Sequence, residues 1–242
     1  MLAAVIGASS GLGRRLALDL TARGDTVVGC ARRPVEGVAA SVRLDVSDTD
    51  AVTNTLASIS QEHGPLDLLV NAAAFEQPTK VTDGDLDLYR RTFETNFFGL
   101  VAATLAVVPG MVKRGSGIVV NFSSDHGRAP APGTPAYSAS KAAVSAFTES
   151  IAHEVAPSGV RLHVVYPGWV PTALGQGAVD GGMDLPPRMV RRTEAQISRL
   201  VLAKMGGPAI DINAARVATL APVVRSLAPR LYRSQMRRQG AR

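Results

Sequence analysis

The chain has 242 residues, 46% of them apolar, enough for one large α/β domain with a sizeable core, and its single cysteine, Cys30, excludes a disulfide framework. The formal charge of +6 is unevenly placed: from Arg188 onward twelve basic residues face only Glu194 and Asp211, yet Tyr232 is the only aromatic there, which argues against nucleic acid as a partner. No run reaches the ~18 apolar residues of a membrane span, and the apolar residues 1–6 lack the basic start of a secretory signal, so the expectation is a cytoplasmic protein with no transmembrane segment.

Apolar runs alternate with helical periodicity, the pattern of a parallel sheet with crossover helices. Residues 2–6 read as a short buried strand and 11–23 as a helix with Leu12, Leu16 and Leu20 on one face. Strands two and three fall at 26–31 and 42–44. Asp48 caps a helix running to about His63. Strand four is 66–70, a long helix spans about 88–112, and 117–122 is a buried strand. The next helix starts near Thr134 and stops before Pro157, and strand six is 161–166.

Beyond it the pattern loosens. Residues 175–187 are rich in Gly and Pro and read as a flexible loop, with 173–190 as a lid over a substrate. Residues 193–204 are helical and 208–212 an edge strand. In the basic tail, about 213–242, Pro222 and Pro229 must kink or break the helix. With no repeat and no linker, residues 1–242 form a single Rossmann-type domain. It is a doubly wound parallel sheet of about seven strands, helices on both faces, with a variable helical C-terminal tail.

The turn Gly7-Ala8-Ser9-Ser10-Gly11-Leu12-Gly13 joins the first strand to the first helix. Gly7 permits the tight turn, Gly11 lets the backbone approach a pyrophosphate, and Gly13 allows close packing of helix on strand. The helix N-terminus then offers N–H groups to phosphate. Strand two ends at Ala31 rather than at an acidic residue, and Arg32 and Arg33 follow. A carboxylate there would repel a 2′-phosphate and a guanidinium would bind it, which predicts NADP(H), with Arg32 as main ligand and Ser9 or Arg33 helping.

Tyr137 and Lys141 stand four apart and share one helical face. Ser124 precedes Tyr137 by 13 residues, and Asn96 precedes Ser124 by 28. Pro167-Gly168-Trp169-Val170-Pro171-Thr172 ends strand six. With the glycine turn, in which Ile6 replaces a threonine, this order and spacing resemble a classical short-chain dehydrogenase/reductase over about residues 2–172.

The resemblance implies hydride transfer between a nicotinamide cofactor and a carbonyl or alcohol. Tyr137 would be the acid in reduction and base in oxidation, its phenolate favoured by the Lys141 charge. Ser124 would stabilise charge on the substrate oxygen, and Lys141 would hold the ribose. Asn96 would kink its helix and anchor a water beside Lys141. Asp45 and Val46 would meet the adenine, and Val170 and Thr172 the carboxamide, beside Pro167 and Gly168. The segment Asn71-Ala72-Ala73-Ala74 stands where the family has Asn-Asn-Ala-Gly, so Asn71, Ala72 and Ala73 would pass a slightly shifted cofactor. No His spacing suggests a metal site.

Phe75, Asp125, His126 and Trp169 are the substrate candidates, and apolar residues in the lid favour a hydrophobic one. A homodimer or homotetramer through the 88–112 and 134–156 helices follows from their wide apolar faces. Two other readings keep the fold: a dehydratase or isomerase acting through a keto intermediate, and a non-catalytic NADP(H)-binding regulatory protein.

Overall fold

The structure is a computed structural model and describes residues 1–181, 183–215 and 217–240. Its centre is a seven-stranded, all-parallel sheet in the order β3-β2-β1-β4-β5-β6-β7. These strands are β1 (Leu2–Ile6), β2 (Thr26–Ala31), β3 (Ala40–Arg43), β4 (Leu68–Asn71), β5 (Gly117–Phe122), β6 (Val160–Tyr166) and β7 (Asp211–Asn213). Both faces of the central strands are covered, which is why β1 and β4 read as continuous apolar runs rather than alternating ones.

One face carries α2 (Thr49–His63), α4 (Gly99–Arg114) and α6 (Pro135–Val155). Leu56, Met111 and Val155 of these helices join Ala4, Ile6 and Leu69 in one buried cluster. The other face carries α1 (Gly11–Ala22) and α8 (Glu194–Lys204), whose Leu16, Leu20, Ile197 and Val201 pack on Val5, Leu68 and Val70. Each such side chain, withdrawn fully from water, contributes roughly 1.5–3 kcal/mol. Cys30 is one of them. Burial pushes its thiol up to about 12, which leaves it a small hydrophobe rather than a nucleophile.

The predicted helix over 88–112 is a longer and less regular element. It begins as α3 (Leu86–Phe93), widens into a π-turn at Glu94–Phe98 and continues as α4. The run Leu86–Arg114 is long and apolar enough to cross a membrane by length and composition, contrary to the sequence expectation. In the fold one side of it packs into the core, with Leu100, Ala103, Val107 and Met111 buried, while Phe98, Leu105 and Val112 are exposed.

Three further differences lie after residue 172. The segment read as a flexible loop contains α7 (Ala173–Asp180), started by Thr172, whose hydroxyl accepts from the Gly175 N–H. The edge strand sits at 211–213, not 208–212, because it pairs with Val164–Tyr166 at the C-terminal end of β6. In the tail, Pro222 is accommodated inside α9 (Val217–Leu227), while Pro229 opens α10 (Pro229–Gly240), so the break falls at Ala228.

Candidate active site

The strand order reverses between β1 and β4, and a crevice opens there at the C-terminal ends of the strands. The turn after β1 shapes its floor. Gly7 and Gly11 take positive φ, 87° and 55°. A Cβ on Gly7 would lie 2.5 Å from the Ala73 nitrogen, and one on Gly13 would lie 2.3 Å from the Gly7 carbonyl oxygen. Glycine is therefore required by contact at both positions. Ser10 caps α1 without a side-chain hydrogen bond, which leaves the first-turn N–H groups open to an anion. This cradle fits a dinucleotide pyrophosphate. Thr172, on the loop after β6, closes over it: a Cβ on Gly11 would stand 3.2 Å from the Thr172 methyl.

Ala31 ends β2 in the core, and Arg32 and Arg33 follow it, both exposed. The Arg32 charge reaches Asp45. The Asp45 carboxylate takes the Ser47 N–H at 3.0 Å and the Ser47 hydroxyl at 2.8 Å, which holds it below the usual carboxylate range. Asp45 thus shapes its own turn. Val46 is buried, its carbonyl so close to Gly99 that a Cβ there would approach to 2.1 Å.

The segment after β4 is directed by two asparagines. Asn71 donates to Asn121 Oδ1 at 2.8 Å, and Asn121 donates to Thr148 at 2.9 Å. The Asn71 side chain therefore ties β4 through β5 to α6 and faces away from the crevice, leaving only its backbone on the cofactor side. Ala72 fills space beside Gly13, its methyl 3.2 Å from where a Gly13 Cβ would sit. Asn96 accepts from the Phe75 N–H at 2.7 Å and donates to the Phe75 carbonyl at 2.8 Å and to Ser140 at 3.0 Å. The expected irregularity at Asn96 is the π-turn, but its amide clamps the chain after β4, so a water could be held there only by its backbone.

That clamp corrects the expectation for Phe75. Its ring lies under the Arg91 guanidinium, 4.8 Å from centroid to Cζ, and does not line the crevice. Glu76, which the sequence reading did not single out, turns into the crevice instead.

Ser124, Asp125, His126, Tyr137, Trp169, Val170 and Thr172 do line one cavity of about 750 Å³, with Leu12, Pro167 and Gly168. Ser124 ends the loop after β5 and caps the single turn α5 (Asp125–Arg128), accepting from the His126 N–H at 3.2 Å. Tyr137 opens the inward face of α6, with the Ser124 hydroxyl as its hydrogen-bonding neighbour. Lys141, one turn on, is 2% exposed; its Nζ donates to the Phe122 carbonyl at 2.8 Å and stands 5.7 Å from the Tyr137 ring centroid.

Burial pushes the Tyr137 phenol well above 10, with the Glu76 charge adding to the rise and the Ser124 bond opposing it. The same burial brings Lys141 down to about 8, against the pull of Glu76. His126 packs edge-on to Tyr137 at 6.0 Å, meets the Thr134 hydroxyl at 3.2 Å through Nδ1, and falls to about 4 by burial.

The far walls come from residues 175–190 and from the C-terminal tail. Gly175, Ala178, Met183, Pro186 and Val190 form one side, and Leu220, Val224, Leu231, Tyr232 and Met236 of α9 and α10 the other. The tail is tied down at Tyr232, which donates to the Pro130 carbonyl at 2.9 Å, and at Arg225, which donates to the Arg128 carbonyl at 2.9 Å. Arg128 in turn lies over the Tyr166 ring at 3.5 Å and pairs with Asp211. The apolar repeat Leu220, Val224, Leu227, Leu231 was the available sequence signal for this wall. Among the described residues no cluster suited to a metal ion occurs.

The short chain dehydrogenase family model matches residues 1–181. The chain belongs to this family of oxidoreductases, the short-chain dehydrogenases/reductases, which bind a nicotinamide cofactor. Dehydrogenase/reductase SDR family member 7B of Danio rerio is 35% identical over 195 residues, covering 73% of this chain and 63% of that protein. The Bos taurus protein of the same name is 33% identical over 252 aligned residues, covering 94% and 78%. A short-chain dehydrogenase from Burkholderia cenocepacia, solved in complex with NADP, superposes with a TM-score of 0.83 at 25% identity over 97% of this chain and 96% of that one.

Proposed function

We propose that the chain is an NADPH-dependent reductase of ketones or aldehydes, running in reverse as an alcohol dehydrogenase. The observation that carries this reading is the meeting of Tyr137 and Ser124 in one cavity with the Lys141 ammonium buried beneath them. The Ser9–Gly13 turn would hold the pyrophosphate, Arg32 with Arg33 the 2′-phosphate, and Lys141 the nicotinamide ribose. Asp45 and Val46 would border the adenine, backbone groups of 71–73 would pass the cofactor, and Val170 and Thr172 would reach the carboxamide. When bound, the nicotinamide supplies the hydride in reduction and takes it in oxidation.

The chain's own residues manage the proton. In reduction the Tyr137 hydroxyl gives its proton to the substrate oxygen, while Ser124 donates a hydrogen bond to that oxygen as its charge develops. Lys141 favours the phenolate left behind and so lowers the cost of the transfer. Oxidation runs the same steps backward with Tyr137 as base. Without its hydroxyl, a Tyr137→Phe chain should lose about 10²–10⁴-fold in turnover and still bind NADPH. Unchanged turnover in a stopped assay of NADPH oxidation rejects the mechanism.

NADP is favoured by Ala31, where a carboxylate would repel the 2′-phosphate, and by the solvent-facing Arg32. The NADP complex of the Burkholderia relative is consistent with it. An Arg32→Glu chain should raise the KM for NADPH and leave that for NADH nearly unchanged; a preference for NADH in the wild type would overturn the assignment. A homodimer or homotetramer is favoured by Phe98, Leu105 and Val112, apolar and exposed on the outer side of the long helix. Light scattering that returned only monomer would remove it.

A further inference from the structure

Glu76 has no part in the proton transfer just described, yet it enters the same cavity as Tyr137 and Ser124. Its Oε1 is buried and has no hydrogen-bond partner among the described residues. Its charge acts on both Tyr137 and Lys141, so the carboxyl lies within electrostatic reach of the reacting group. Much of the wall is apolar, from Leu12 and Val170 to Leu220 and Met236. Burial there raises Glu76 to about 7, with the Lys141 charge as the counterweight.

Asp125 is the other carboxyl of this wall with an unpartnered oxygen. It is answered from within the protein, by the Gly168 N–H and the charges of Arg128 and Arg192. Lys141 acts on Glu76 through its charge alone: the hydrogen bond its ammonium donates goes to the Phe122 carbonyl, and Glu76 Oε1 is left without a donor among the described residues. An acceptor buried without a donor is costly, and a ligand that brings the donor relieves the cost.

We infer that Glu76 is a specificity residue, receiving a hydrogen bond from a hydroxyl or ammonium group that the substrate carries next to its reacting carbonyl. The substrate class is then α- or β-hydroxy and amino carbonyl compounds, with the rest of the molecule apolar. The inference rests on the reductase reading. A plain ketone of the same shape leaves the Glu76 oxygen unpaired, and the discrimination follows from that penalty.

The test compares 2-hydroxyacetophenone, 2-aminoacetophenone and acetophenone by NADPH oxidation. The wild type should favour the two substituted ketones by about 10–100-fold in kcat/KM. Glu76→Ala should bring all three to one level; the ratio between the ketones, not the absolute rate, is the readout, since the Glu76 charge also acts on Tyr137 and Lys141. Glu76→Gln keeps an acceptor and should retain the hydroxyl preference while losing that for the ammonium group.

A wild-type preference within about twofold, or one that survives Glu76→Ala, overturns the inference and leaves the reductase reading standing. NADPH that stays unoxidised across a broad carbonyl panel overturns the reductase reading instead. Binding to the NADP-loaded Tyr137→Phe chain, read from Trp169, the single tryptophan, gives a measure independent of turnover. There the hydroxyketone must bind more tightly than acetophenone, and equal binding overturns the inference.

Discussion

Up to Thr172 every strand is followed by a segment that packs back on the sheet, and the site residues leave the strand ends on short, braced loops. From Ala173 to Gly240 the described residues add one strand of three residues and α8, which packs on the sheet, but α9 and α10 lie partly open: Leu220, Leu227 and Leu231 are 58%, 81% and 66% exposed, while Ala4, Leu69 and Val70 of the sheet are fully buried. Both regions line one cavity, but only the first holds the glycine turn, Ser124, Tyr137 and Lys141. The difference teaches a division of labour. The part that must present fixed geometry to a large, constant ligand is over-determined by packing, and the part facing the variable ligand is held by a few hydrogen bonds at its edge.

The comparison breaks most visibly in the sheet. Leu69→Ala should cost about 2–5 kcal/mol of unfolding free energy in urea titration; a loss below 1 kcal/mol would show that the sheet is no more rigid than the tail. Removal of residues 217–242 opens one cavity wall and should raise the KM for a ketone about tenfold with NADPH affinity within a factor of two to three. Loss of NADPH binding as well would join the two regions into one unit.

Acidity gives a smaller, signed effect. His126 is held at about 4, below its ordinary 6.5, so between those values the unfolded chain binds the extra proton and stability falls as pH drops from about 6.5 to 4. Glu76, raised from 4.5 to about 7, runs the other way: its buried charge weakens the fold above neutrality and the penalty fades as pH falls. Glu76→Gln should therefore melt higher than the wild type at pH 8, the gap closing toward pH 4.5. A constant gap across that range would contradict the assignment. Smallest of all, Leu227→Ser should change stability by no more than about 0.5 kcal/mol, since the side chain is 81% exposed.

These contrasts also explain what could be read in advance. The glycine turn and Tyr137–Lys141 were legible because each is local: a tight turn before a helix, and two residues on one helical face. Glu76 was not, because its direction is set by Asn96, which holds the Phe75 backbone from 21 residues away. For α7, glycine misled the reading. Glycine weakens a helix by roughly 1 kcal/mol, but Gly175 is there for packing, since a Cβ would come within 2.2 Å of the Val170 carbonyl oxygen. The tail wall was missed because its leucines look like a solvent-facing repeat until Tyr232 and Arg225 fasten them over the crevice.

The isolation of Cys30 in β2 has a practical side. A thiol that stays protonated to about pH 12 and lies inside the sheet ignores maleimides. A Leu227→Cys chain would then carry one addressable sulfur in the whole molecule, on the outer side of α9, ready for a fluorophore or spin label with no background to subtract. Paired with the lone indole of Trp169, which lines the cavity, such a label gives a distance between α9 and the loop after β6 that can be followed in solution as ligands come and go.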